Sequence, residues 1–200
     1  MLVYGPVMWV QRSAIRPVPP YAKVGRNALE LLRNELLVEA DRSPAVFDGM
    51  FEDFEAKQPV LSERVSEVLG GPLEDASVAL GYFLSVSIWA AFDKTLGTAL
   101  DAISADELRS TTELFALDQD LRGQVAGDSL DTSDVIFMEQ PALVEFVHES
   151  IQTTVRANEG KLNRDDIRQI YQMLLIEILA LSYAVRSPAG FPLTKSEVLA

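Results

Sequence analysis

Cysteine is absent from the 200 residues, and histidine occurs once, at His148. Without a thiol there can be no disulfide, no thiolate nucleophile and no cysteine-ligated metal. A lone imidazole also leaves little room for an activated serine, and no G-x-S-x-G is present. Phosphate loops are missing too, because LGGPL and RSPAG lack the glycine spacing that cradles a nucleotide. No catalytic residue, no cofactor and no metal centre is therefore expected.

Positive charge is scarce. Lys and Arg total 17 against 30 Asp and Glu, a net charge of -13. The imbalance is local: residues 46–141 hold 5 basic and 19 acidic side chains, whereas residues 1–45 hold 6 and 4. A nucleic-acid backbone or an anionic bilayer requires a basic surface, so neither is expected as a partner. No basic region precedes the apolar start MLVYGPVMWV, since the first base is Arg12. That pattern does not suggest a secretory leader, and a cytoplasmic location is expected. The longest stretch without charge, residues 76–92, lacks a basic flank and is bracketed by Asp75 and Asp93. It reads as a buried core helix rather than a bilayer span.

What is present is helical patterning. Residues 1–23 are an exception: Pro6, Pro17, Pro19 and Pro20 exclude a long helix there. The apolar Tyr4, Val7 and Trp9 predict an extended arm packed on the body or on another subunit. Beyond it, residues 24–200 read as a single helical domain. Phe47, Phe51 and Phe54 recur at helical spacing, and Ser104 with Glu107 forms a capping-box pattern. Asn163, with Asp166 three residues on, predicts the start of a last long helix. The expected fold is an all-α bundle of about seven or eight helices. Two apolar helices, near 76–102 and 164–186, form its centre.

Two phrases nearly repeat. QPVLSERVSE (58–67) and QPALVEFVHE (140–149) agree at six of ten positions. Pro59 and Pro141 stand where a helix tolerates proline, at its first turn. Leu61, Val65 and Leu69 share one face, as do Leu143, Val147 and Ile151, while the glutamates lie opposite. Each phrase precedes a long apolar helix, in which Tyr82 and Tyr171 take comparable places. The order reads as two similar halves, 24–103 and 104–187, from an internal duplication. In the first long helix, Ser77, Gly81 and Ser85 form a small-residue stripe that admits a close neighbour.

Three side chains are candidates for ligand binding: Glu177, His148 and Tyr171. Glu177 falls on the apolar side of its helix, among Ile170, Met173 and Leu181, where the equivalent of the first half is Ile88. A carboxyl placed there needs a partner or takes up a proton. Glu145 and His148 spell Glu-x-x-His, but the first half has Glu63-x-x-Ser66, so a dimetal site is not expected. Asp118 and Asp120 lack a calcium loop and read as solvated surface. The leading functional expectation is a non-catalytic protein that interacts with a protein partner or with itself. The alternative is a bundle that holds a small apolar ligand or metal in a core pocket near Glu177.

Overall fold

The computed structural model describes residues 13–38, 43–123, 131–158 and 162–189, with the side chains at 36–38 and 43–44 outside that description. Tyr4, Val7 and Trp9 of the expected arm also lie outside the described residues. Eight α-helices follow one another among the described residues: α1 (Arg26–Val38), α2 (Ser43–Lys57), α3 (Pro59–Leu69), α4 (Asp75–Leu96), α5 (Ala105–Gly123), α6 (Thr132–Glu139), α7 (Pro141–Ala157) and α8 (Arg164–Tyr183). No strand occurs among them, and the chain is an all-α multi-helix bundle.

Helix starts follow the local chemistry. Ser104 and Glu107 exchange hydrogen bonds as a capping box, and so do Asp131 and Asp134 at α6. Asn163 caps α8 by accepting from the Asp165 amide. Asp166 does not join that cap. It reaches across the bundle and accepts from the Glu74 amide at 3.0 Å, capping α4 instead.

The two apolar helices pack against each other, and together they carry the largest share of the core. Both are shorter than expected. The first ends at Leu96 rather than 102, because Gly97 turns the chain at φ 47. The second ends at Tyr183 rather than Arg186, because Val185 pairs antiparallel with Leu100. In that bridge the Asp101 amide donates to Ala184 O, and the Arg186 amide donates to Ala99 O. By length and composition α4 could cross a bilayer, but 67% of its apolar window is buried inside the bundle. The small-residue stripe works as a contact surface: a Cβ on Gly81 would stand 2.5 Å from Leu69 Cδ2, so α3 sits directly on α4.

Contacts recur reciprocally between the first four helices and the last four. Helix α1 rests on α4 as α5 rests on α8, and α3 rests on α8 as α7 rests on α4. The glutamines of the repeated phrase take part. Gln58 is buried; its amide donates to Asp101 O and accepts from the Ile103 amide, just before α5. Gln140 is buried too; it donates to Ala22 O and accepts from the Val24 amide, just before α1. Each glutamine thus grips the segment that leads into the first helix of the other half. Both sit at their helix N-caps with nearly the same backbone, φ -132 and -131.

Residues 13–25 lie along the body, with Ile15, Val18, Ala22 and Val24 buried. Their anchor corrects the expected solvated role of Asp118. That carboxylate is fully buried because it extends the inward face of α5 that Leu108, Thr111 and Phe115 form. It accepts from the Ser13 hydroxyl at 2.7 Å, the Ala14 amide at 2.8 Å, the Thr132 hydroxyl at 2.9 Å and Arg122 Nε at 2.6 Å. Asp120 is exposed, as expected of it.

Candidate functional site

Glu177 belongs to the inward face of α8 and is 1% exposed. Neither carboxyl oxygen has a hydrogen-bond partner. Ser85 of α4 lies near, but its hydroxyl is likewise unpartnered. Burial pushes the Glu177 carboxyl well above its usual range, and the nearby Ser85 hydroxyl opposes this without reversing it. The group is therefore held as the neutral acid in its buried setting.

Glu177 borders a cleft of about 160 Å³ between α3, α5 and α8. Leu61, Val65, Leu108 and Met173 form apolar walls, and Arg64 and Gln172 bring polar groups to it. A space of that size suits a body of about one aromatic ring. It is a buried acid beside an apolar recess, and neither of its oxygens has a donor.

The other two candidates sit elsewhere. His148 of α7 and Tyr171 of α8 share a hydrogen bond of 2.7 Å between Nε2 and the hydroxyl, with ring centroids 5.3 Å apart. Neither borders the cleft beside Glu177. On the first half Tyr82 bonds Ser66, so the tyrosine and its partner recur while the partner changes from hydroxyl to imidazole. Burial raises the Tyr171 hydroxyl above its ordinary value; a hydrogen bond from Ser133 opposes this, and the charges of Asp131 and Asp134 add to it. Glu145 does not complete a metal pair with His148, because it is ion-paired with Arg26. Among the described residues, no three potential metal-ligating side chains come together.

An unpartnered buried acid has a stability cost that can be measured. The unfolded carboxyl ionises near 4.5, whereas the folded one stays protonated to a higher pH. Above 4.5 the unfolded state therefore binds fewer protons than the folded state, and stability falls as pH rises towards the folded pKa. The slope is about 1.4 kcal/mol per pH unit. We expect Glu177→Leu to raise unfolding free energy by about 1–3 kcal/mol at pH 7 and to remove that slope. Urea melts of both proteins between pH 4.5 and 8 check this. A destabilised Glu177→Leu protein would mean that the carboxyl has a partner after all.

No protein-family model matches this chain, and no curated protein or solved structure matches it either.

Proposed function

We propose that the protein binds a small molecule with an apolar, ring-sized body and a protonated amine, seated in the α3–α5–α8 cleft with its nitrogen on Glu177. The observation that carries this reading is the buried Glu177 carboxyl, both of whose oxygens lack a hydrogen-bond partner, on a residue that lines the cleft. An ammonium group offers several N–H donors and a charge, so it can satisfy both oxygens at once. A neutral ligand with a single donor satisfies one. The acidic balance of the chain also favours the approach of a cation.

Binding of this kind releases a proton. Glu177 is protonated when the cleft is empty and ionised when it faces the ammonium. Affinity rises with pH while that proton becomes easier to remove, then falls when the free amine itself deprotonates. Titration calorimetry with benzylamine is the test, run in buffers of different ionisation heat. We expect one-to-one binding with proton release, weakened at least about tenfold in Glu177→Gln. Equal binding by wild type and Glu177→Gln, or none by either, would sink the reading.

A protein partner is the second reading. Its support is apolar exposure on two neighbouring helices: Leu117 and Leu121 on α5, and Phe137 and Met138 on α6.

A further inference from the structure

A second cleft, of about 430 Å³, lies between α1, α4 and α7. By helix membership it is the counterpart of the first, which lies between α5, α8 and α3. The correspondence extends to residues. Arg26 and Ala105 open α1 and α5, 79 positions apart, and the same interval relates Leu29 to Leu108. Pro59 and Pro141 open α3 and α7, 82 apart, and that interval relates Arg64 to Phe146. Tyr82 and Tyr171 stand 89 apart, and that interval relates Leu80 to Gln169, Phe83 to Gln172 and Ser87 to Ile176. All five pairs have one member at each cleft.

Chemistry has been exchanged between the two. Where the first cleft has Arg64, Gln169 and Gln172, the second has Phe146, Leu80 and Phe83. Phe83 is braced by Phe47, stacked on it at 5.9 Å between ring centroids. Ser87 takes the place of Ile176, is 1% exposed, and its hydroxyl has no hydrogen-bond partner. A buried hydroxyl without a partner is costly, and here it borders an open apolar space. Arg33 and Glu149, also at this cleft, are opposite in sign, so together they select for neither charge. The space falls within the range of small-molecule sites.

We infer that the two halves are copies of one four-helix unit, and that the α1–α4–α7 cleft is a second binding site, for a neutral apolar molecule whose hydrogen-bond acceptor meets Ser87. The two sites are physically separate, so this one stands whether or not the Glu177 cleft takes an amine. Its size admits more than one ring, and its one carboxylate, Glu149, is offset by Arg33, so its lining does not single out an ammonium.

The test uses the full chain and prodan, a neutral naphthyl ketone whose emission shifts to the blue on leaving water. We expect saturable one-to-one binding with a blue shift. Ser87→Ala weakens it about fivefold, the loss of one neutral hydrogen bond. Thr153→Trp, at an exposed position on the rim, narrows the mouth without touching the core and weakens it at least about tenfold. Glu177→Gln leaves it unchanged, which separates this site from the amine site. Absence of saturable binding overturns the proposal. So does an affinity that survives both Ser87→Ala and Thr153→Trp, or one that falls with Glu177→Gln.

Discussion

Replacing Asp118 by alanine lowers the unfolding free energy by about 3–5 kcal/mol, the range for breaking a buried ion pair from one side. Four groups lose their acceptor together. The Arg122 guanidinium, only 10% exposed, keeps its charge and loses the Asp118 carboxylate beside it. The Ser13 and Thr132 hydroxyls and the Ala14 amide lose their hydrogen bonds as well. These groups come from the leading segment, from α5 and from the start of α6, so one side chain joins three stretches of chain. For a chain of 200 residues the loss moves the thermal midpoint down by about 10 °C. Urea melts at pH 7 give the free energy, and differential scanning calorimetry gives the midpoint.

Acid should reproduce part of this effect. Burial by itself would raise the Asp118 carboxyl, but Arg122, the two hydroxyls and the Ala14 amide outweigh it and hold the group at about 2. The unfolded chain titrates near 3.8. A depressed carboxyl stabilises the fold above 3.8, and this stability is lost as pH falls from 3.8 towards 2. The interval corresponds to roughly 2 kcal/mol. Asp118→Asn keeps the shape without the charge, so its stability should be flatter over that interval than that of wild type. An Asp118→Ala protein within about 0.5 kcal/mol of wild type at pH 7 would contradict this account.

Gln140→Leu is expected to cost about 3 kcal/mol, and Gln58→Leu about 2. Leucine is close to glutamine in volume, so neither change opens a large cavity. What each removes is a clamp. Without the Gln140 amide, Ala22 O and the Val24 N–H are left buried and unpaired, and Ser182 loses a donor. Gln58 leaves Asp101 O and the Ile103 N–H. Gln140 is the costlier because it makes one bond more, although Ser182 keeps a bond of its own to Ile178 O. Chemical denaturation of both single variants and the double variant measures the difference. The clamps share no partner, so the two costs should add to within about 0.5 kcal/mol. If Gln140→Leu costs nothing, the matching glutamines are helix-start residues only.

The repeated phrase shows how far sequence reasoning reaches. Pro59, Leu61 and Val65, with Pro141, Leu143 and Val147, are intelligible from spacing, because a helix imposes its own period on what it buries. The two glutamines are equally prominent in the alignment, yet spacing assigns them nothing. Their main-chain partners lie 43 to 118 positions away, and Gln140 also donates to the Ser182 hydroxyl. Glu177 was legible as a buried acid because its helix face is otherwise apolar, but the cleft beside it was not, since α3 and α5 supply much of the wall. Nothing in the spacing of His148 and Tyr171 shows that they touch each other and stand apart from Glu177. Asp118 does have a signal in the sequence for its buried place. It continues the stripe of Leu108, Thr111 and Phe115, and Arg122 follows one turn later.

The sequence by itself determined the helices, their proline and capping starts, their apolar faces and so the all-α class. Each of these is set within a few residues, by backbone sterics and by which face repels water. Only the tertiary structure decided what becomes of the buried polar groups. Asp118, Gln58 and Gln140 find partners that distant segments bring to them. Glu177 and Ser87 find none, and a cleft lies beside each. Burial is a property that a helix face can announce, whereas hydrogen bonding is a property of pairs, and the second member of each pair arrives only with the fold.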